Sequence, residues 1–281
     1  MTSLERTFKG WTKPGPLLDS PLELEPGETC DAISGSYRLY QYEDGHRFST
    51  DDVLVAWFAT TYGVRAERAL DLGSGIGSVG MIAAWRLPHA RFVTVEAQER
   101  SVRLALKSRR FNRLEDRYDV RTSDFRDLAG WRKDGETFDL VTGSPPYFAL
   151  TDGVASEHPQ KVECRFETRG TVVDYCRAAE PVLAPGGMFF VVFPRNQEER
   201  VLEGARVSGL RVLRSREVVF REGEPPLLGL YQMGRASDHP EAFLKRIPER
   251  GWSEPPLTIR MRNGEIHPEY SVVKLSIGFP P

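Results

Sequence analysis

Cysteine and lysine are scarce in this chain of 281 residues. The three cysteines, Cys30, Cys164 and Cys176, are widely spaced, and none belongs to a Cys-x-x-Cys pair. We therefore expect neither a disulfide scaffold nor a metal site. The small number and wide spacing of the cysteines are typical of proteins in a reducing compartment. Only 7 of the 38 basic residues are lysine, and 40 acidic residues bring the formal charge to -2. The chain lacks the strong positive charge that marks many nucleic-acid-binding proteins.

Long hydrophobic runs are also missing. No stretch approaches 18 uninterrupted apolar residues, and residues 1–24 lack the apolar centre of a secretion signal. We therefore expect a protein without membrane association, and the cysteine usage favours the cytoplasm. We also favour a monomer. Hydrophobic residues still make up 40% of the chain, which is enough for a packed core.

The order of apolar runs predicts an α/β fold. Residues 1–36 are rich in proline and have no clear period, so we expect a poorly ordered extension before one domain at 37–281. In that domain, predicted strands and helices alternate, which is typical of a doubly wound parallel sheet. After a strand at 37–42, the predicted strands are 68–72, 91–97, 118–123, 138–143, 188–193, 210–220 and 227–233, and the predicted helices are 51–62, 78–87, 98–111 and 171–183. Only six residues separate the last two strands, which predicts an antiparallel hairpin at the end of the sheet.

A glycine-rich loop follows the first strand of the alternating series. Asp71 precedes Gly73, Gly75 and Gly77, and the loop opens the next helix. A dinucleotide-binding loop would need glycine at position 78, which is serine. The pattern is instead typical of methyltransferases that use S-adenosylmethionine.

Two further segments complete the predicted cofactor site. Glu96, followed by Ala97, ends the second strand, where one carboxylate can accept hydrogen bonds from both ribose hydroxyls. Asp124 and Phe125 follow the third strand. We expect Asp124 to accept the adenine amino group and Phe125 to cover the adenine ring, although Asp124 could also cap the following helix.

The string Ser144-Pro145-Pro146-Tyr147 after the fourth strand predicts amino methylation. An exocyclic amino group is a poor nucleophile because its lone pair is delocalised into the base. The Ser144 hydroxyl and the Pro145 carbonyl can each accept one N–H hydrogen and free that lone pair, while the prolines stiffen the loop. Tyr147 offers an aromatic face for a base taken out of its stack.

From about residue 37 to 276 the chain resembles the bacterial tRNA adenine-N6 methyltransferases that modify the adenine beside the anticodon of a valine tRNA. The similar segments are residues 45–59, the glycine-rich loop, VEAQ at 95–98, SPPYF at 144–148, RFETRG at 165–170 and residues 255–270. The resemblance implies a class I methyltransferase, Rossmann-like sheet of seven strands with an antiparallel C-terminal hairpin. It also implies S-adenosylmethionine as cofactor, S-adenosylhomocysteine as product, tRNA as partner, and closure of Arg47, Thr50 and Asp51 over the methionine part of the cofactor.

One departure keeps other functions open. The family has asparagine where this chain has Ser144, which keeps an acceptor oxygen and loses an amide donor. Ser-Pro-Pro-Tyr is also usual among cytosine-N4 DNA methyltransferases, and related loops methylate protein glutamine. The alternatives are therefore methylation of DNA adenine or cytosine, methylation of protein glutamine, or a binding module that has lost catalysis.

Two basic segments are candidate RNA contacts. The loop at 148–170 is too long for an ordinary strand-to-helix connection and leaves the catalytic string directly. Its predicted substrate-binding residues are Phe148, Lys161, Arg165 and Arg169. The second candidate RNA contact is the basic helix end at 105–113, which could equally be a solvated face.

Overall fold

A mixed β-sheet lies at the centre of the computed structural model, which describes residues 7, 8, 10–15, 20–147 and 170–281. The strands are β1 (Thr7–Phe8), β2 (Trp11–Thr12), β3 (Glu28–Ser34), β4 (Tyr37–Tyr42), β5 (Arg68–Leu72), β6 (Arg91–Glu96), β7 (Tyr118–Thr122), β8 (Phe138–Gly143), β9 (Leu183–Pro194), β10 (Leu210–Arg221), β11 (Leu228–Arg235) and β12 (Trp252–Arg260). The α-helices are α1 (Thr50–Tyr62), α2 (Ser78–Arg86), α3 (Glu99–Phe111), α4 (Leu128–Trp131), α5 (Val172–Ala179), α6 (Glu198–Val207), α7 (Glu241–Leu244) and α8 (Pro268–Ser276).

The central sheet has eight strands in the order β12-β10-β11-β9-β8-β5-β6-β7 within the described part of the chain. Strands β5 to β9 run parallel to one another, β11 is antiparallel to β9 and β10, and β10 is parallel to β12. All strands except β11 therefore end at one edge of the sheet, which we call the carboxyl edge. In such sheets, ligands bind outside this edge.

Two apolar layers cover the faces of the sheet. Alternate strand residues point to opposite sides, so Phe190 and Val192 pack with Phe58 of α1, whereas Val191 packs with Val201 of α6. The predicted α/β fold is confirmed, since all seven predicted strands of the sheet and its antiparallel hairpin are present. An α/β sheet with both faces covered leaves its edges as the places for a site.

Strand β12 is an addition that the sequence analysis does not predict. Its segment contains Pro255 and Pro256, which cannot donate backbone hydrogen bonds. Prolines are tolerated where a strand has a neighbour on one side only, and β12 is the outermost strand, paired with β10. The edge position explains how this segment can be a strand.

The expectation of a poorly ordered extension at 1–36 is wrong for Glu28–Ser34, because these residues form β3 and pair with β4. Ile33 is fully buried in the core, and the Ser34 hydroxyl donates to the carbonyl of Ile277 at 2.6 Å. Apolar burial and a tie to the C-terminal segment therefore order this part of the chain. The hairpin β3–β4 lies close to α2 and α3.

Candidate active site

A cavity of about 710 Å³ opens at the carboxyl edge, beside the ends of β5, β6, β7 and β8 and the start of α1. The structure gathers nearly all described residues of the predicted site around it. Those that line it are Arg47, Asp51, Asp71, Gly73, Gly75, Glu96, Ala97, Asp124, Phe125, Ser144, Pro145, Pro146 and Tyr147. Thr50 and Gly77 lie next to it in the chain without lining it.

The glycine-rich loop turns sharply under the cavity. Gly73, Gly75 and Gly77 have φ values of 59°, 55° and 86°, in the left-handed region that favours glycine. A Cβ atom on Gly73 would lie 2.1 Å from the hydroxyl oxygen of Tyr175 in α5. Gly73 therefore lets the loop and α5 approach closely. A Cβ atom on Gly75 would meet nothing within 4 Å, so the loop exposes bare backbone at this point.

Glu96 couples the glycine-rich loop to the end of β6. Its Oε2 accepts a hydrogen bond from the Gly75 amide at 2.8 Å, and its Oε1 accepts one from the Gln98 amide at 2.7 Å. The residue is 7% exposed and lines the cavity. A carboxylate oxygen can accept more than one hydrogen bond, so these contacts fix the orientation of the group and leave it capacity for hydroxyl donors.

Asp71 at the start of the loop is almost fully buried. Its Oδ1 accepts from the Thr142 hydroxyl at 2.8 Å, and its Oδ2 accepts from the Gly80 amide at 3.2 Å. Burial raises the pKa of this carboxyl to about 7, with a smaller contribution from the charge of Asp52. Asp71 therefore ties β5 to β8 and to α2 at the cavity wall.

Asp124 and Phe125 each have a protein partner that sequence analysis missed. Arg126 donates through Nε and Nη2 to the two carboxylate oxygens of Asp124, at 2.9 and 2.5 Å. The ring of Phe125 lies 4.3 Å from that of Tyr175, centroid to centroid. Arg126 orients the carboxylate, and Tyr175 supports the aromatic wall from α5.

The segment before α1 forms another wall. Arg47 donates to the carboxylate of Asp31 at 2.8 Å and to the hydroxyl of Thr29 at 3.0 Å, which links it to β3. Ser49 and Asp52 form a capping box that starts α1, as a serine followed three residues later by an acid allows. Asp52 also accepts from the Ser78 hydroxyl at 3.0 Å, and burial raises its pKa.

Tyr270 of α8 reaches the same wall, although it lies far along the chain. Its phenol shares a hydrogen bond with Thr50. Burial raises the pKa of Tyr270, whereas Thr50 and the charge of Arg260 lower it. The C-terminal segment therefore supports the start of α1.

The catalytic string leaves β8 and is held at several points. The Tyr147 phenol donates to Asp51 Oδ2 at 2.6 Å, and its ring meets that of Phe193 edge-on at 5.7 Å. Burial raises the pKa of Tyr147 well above 10, and the Asp51 charge raises it further. Burial likewise raises the pKa of Asp51, while the Tyr147 hydrogen bond lowers it. The phenol therefore stays protonated and locks the end of the string to α1.

Gln197 holds the backbone of Tyr147, a contact that sequence analysis also missed. Its Nε2 donates to the Tyr147 carbonyl at 3.1 Å, and its Oε1 accepts from Arg200 Nη1 at 2.6 Å. The Arg200 guanidinium lies over the ring of Phe193 at 5.5 Å. The chain after β9 thus holds the string at a second point, the Tyr147 carbonyl.

The described lining of the cavity has more acidic than basic residues. Among the described residues, Arg47 is the one arginine that lines it, and no lysine does. Its acidic residues are Glu43, Asp51, Asp52, Asp71, Glu96 and Asp124. Such a lining favours a ligand that carries positive charge. The Ser74 hydroxyl is buried at this cavity and has no hydrogen-bond partner among the described residues.

The predicted RNA contacts fall into two groups. Phe148, Lys161, Arg165 and Arg169 lie outside the described residues. In α3, Lys107 is already paired with the buried carboxylate of Glu28 at 2.5 Å. Within the described ranges, no cluster of acidic, histidine or cysteine side chains could hold a metal ion. None of the described helices is long and apolar enough to cross a membrane.

Several named proteins are similar in sequence to this chain. The chain is 28% identical to a tRNA1(Val) (adenine(37)-N6)-methyltransferase of Bacteroides thetaiotaomicron over 64% of its length and 73% of the relative's. It is 25% identical to the Histophilus somni protein of the same name over 84% of its length and 92% of the relative's. The resemblance predicted from the motifs is confirmed by these relatives.

Solved structures and a family model agree with this result. The crystal structure of a predicted O-methyltransferase from Agrobacterium tumefaciens superposes with a TM-score of 0.58 at 18% identity, covering 82% of this chain and 98% of that one. This likeness confirms the class I methyltransferase fold. The model of the methyltransferase small domain matches residues 49–217, which include β5 to β9 and the whole described cavity lining apart from Glu43, Gly45, His46 and Arg47. The chain therefore belongs to the methyltransferase small domain family.

Proposed function

We propose that this methyltransferase transfers the methyl group of S-adenosylmethionine to the N6 amino group of adenine in a tRNA. The observation that carries the proposal is the position of Ser144-Pro145-Pro146-Tyr147 in the same acidic cavity as the glycine-rich loop and Glu96. The names of the relatives support adenine in tRNA as the acceptor. We further propose that the protein works as a monomer in the cytoplasm.

The residues of the cavity fit S-adenosylmethionine. Its sulfonium and ammonium groups suit the acidic lining, and the buried Ser74 hydroxyl offers an unused polar contact. Glu96 would hold the ribose hydroxyls, and Asp124 and Phe125 the adenine. Arg47, with Thr50 and Asp51 beside it, would hold the methionine part. When bound, this cofactor supplies a methyl group bonded to a positively charged sulfur. That sulfur is a good leaving group because it departs as a neutral thioether.

The catalytic string would act on the acceptor amino group. The Ser144 hydroxyl and the Pro145 carbonyl would each accept one N–H hydrogen, which directs the nitrogen lone pair away from the base ring. Acceptors that are held in place before the reaction need no rearrangement when charge develops. Asp51 and Gln197 supply that rigidity through their bonds to Tyr147. The carboxylates of the lining would also stabilise the positive charge that develops on the attacking nitrogen.

Substitution of Ser144 tests the proposed role. Ser144→Ala should lower the turnover of tRNA methylation and leave S-adenosylmethionine affinity nearly unchanged, because one acceptor of the amino group is lost. Ser144→Asn, the residue of the family, should retain or raise turnover. Ser253→Ala, on the exposed face of β12, is the matched control. Parental turnover in Ser144→Ala would contradict the proposed chemistry.

A further inference from the structure

Three arginines lie at the carboxyl edge, where β10 and β12 end. Arg221 is the last residue of β10, Arg260 is the last residue of β12, and the two are register partners. Arg262 follows in the turn after β12. All three are exposed. We call them the arginine cluster.

The arginine cluster surrounds a single turn of backbone. Arg221 Nη1 donates to the carbonyl of Arg262 at 3.3 Å, and Arg260 Nη1 donates to the carbonyl of Gly264 at 2.8 Å. The guanidinium of Arg262 lies against Gly223, where a Cβ atom would be 3.3 Å from Nη2. Backbone carbonyls therefore hold two of the guanidinium groups in place.

The guanidinium groups of the arginine cluster form few ion pairs. Arg260 and Arg262 have no ion pair with another described residue, and the pair of Arg221 with Glu224 is 3.8 Å long and exposed. Exposed pairs of this kind contribute little to stability. The other carboxylates nearby accept hydrogen bonds from amide groups: Glu222 from the Arg262 amide, Glu265 from the Asn263 side chain and Glu269 from the Thr258 amide. Guanidinium groups without a close carboxylate partner keep N–H donors available for an anion.

The position of the arginine cluster suits a long polyanion that also enters the active site. In the sheet, β10 is three strands from β8 and β12 is four strands from it. At a spacing of about 4.8 Å between strands, Arg221 and Arg260 lie about 14 and 19 Å to the side of the catalytic string. Tyr270 has neighbours at both places, because it shares a hydrogen bond with Thr50 and its pKa responds to the charges of Arg260 and Asp51.

We propose that the arginine cluster binds backbone phosphates of the RNA whose adenine enters the cavity, an inference that rests on the proposed function. Guanidinium groups match phosphate oxygens in paired hydrogen bonds. Phosphate contacts fix the orientation of a nucleic acid without recognising its sequence. This surface would explain how a chain of formal charge -2 holds RNA, even though Lys107 is already paired with Glu28.

Salt-dependent binding of unfractionated tRNA tests the proposal. Arg260→Gln/Arg262→Gln removes two charges and keeps an amide donor for the Gly264 carbonyl. The matched control is Arg65→Gln/Arg246→Gln, which removes two exposed charges before β5 and β12, at the opposite edge of the sheet. The charge-preserving variant is Arg260→Lys/Arg262→Lys. Thermal unfolding of each variant shows whether the fold is intact.

The glutamine pair should weaken tRNA binding and reduce the slope of log affinity against log salt by about 0.7–0.9 per lost contact. The KM for tRNA should rise, with S-adenosylmethionine affinity and turnover at saturating tRNA unchanged. The lysine pair and the control should keep the parental slope. If the parent methylates tRNA and the glutamine pair behaves like the control, the arginine cluster does not bind RNA phosphates and the proposed function stands. If the parent neither binds nor methylates tRNA, both are refuted.

Discussion

The hydrogen bond between Tyr147 and Asp51 offers the sharpest test of how the catalytic string is held. Tyr147→Phe removes the phenol oxygen and leaves the half-buried Asp51 carboxylate without that donor, which lies at 2.6 Å in the parent. A hydrogen bond to a charged group contributes about 1.5–3 kcal/mol. We therefore expect the free energy of unfolding to fall by about that amount at neutral pH.

The effect should depend on pH in a defined direction. Burial raises the pKa of Asp51 from 3.8, and the Tyr147 hydrogen bond opposes the rise, so Tyr147→Phe raises it further. An acid whose pKa is higher in the folded state lowers stability as pH rises from its unfolded pKa through its folded pKa. The stability lost in the variant should therefore be small near pH 4 and grow toward neutrality.

A double-mutant cycle with Asp51→Asn isolates the pair. Unfolding in urea at pH 5 and pH 8 gives the coupling energy, which should be larger at pH 8. Tyr231→Phe is the matched control. The buried Tyr231 phenol donates to a Glu198 oxygen at a distance of 3.3 Å, and neither residue lines the cavity. Both phenylalanine variants should lose stability, and only Tyr147→Phe should lose methyl-transfer turnover. A coupling energy near zero at both pH values would refute the account of the string.

Three further expectations concern the rest of the cavity. Glu96→Gln should weaken S-adenosylmethionine binding by about 1.5–3 kcal/mol per charged hydrogen bond lost. Calorimetry would compare it with the exposed control Glu99→Gln, and equal affinities of the two variants would show that Glu96 does not bind the ribose. Gln197→Leu should lower turnover without changing cofactor affinity, because it frees the Tyr147 carbonyl, and a change in cofactor affinity alone would contradict this. The free energy of unfolding should fall as pH rises from 3.8 to about 7, because buried Asp71 ionises over that range. The loss should reach up to about 4 kcal/mol. Asp71→Asn should flatten this pH dependence, and an unchanged pH profile in that variant would contradict the role of Asp71.

Local motifs made most of the fold and much of the cavity predictable. The strand boundaries follow from short apolar runs between helices, and β8 has the predicted bounds of 138 and 143. The glycine-rich loop, Glu96 and the catalytic string each follow a strand of the parallel set, so they meet at the carboxyl edge once the strands pair. Only strand order was needed to place them together.

The unpredicted parts depend on contacts between distant segments. Nothing local to Tyr175 indicates that it packs against Gly73, and nothing local to Gln197 indicates the Tyr147 carbonyl. Asp52 is different, because the spacing of Ser49 and Asp52 is a capping pattern that the sequence shows. The prolines of β12 argue against a strand until its edge position is known.

The identity of the methylated group tests the central claim most directly. The purified protein would be incubated with S-adenosylmethionine labelled in its methyl group and, separately, with tRNA, ribosomal RNA, DNA and protein, followed by digestion and analysis of the labelled nucleosides and amino acids. We predict N6-methyladenosine from tRNA, reduced in Ser144→Ala. Label in DNA cytosine or in protein glutamine, or no transfer to any acceptor, would contradict the account.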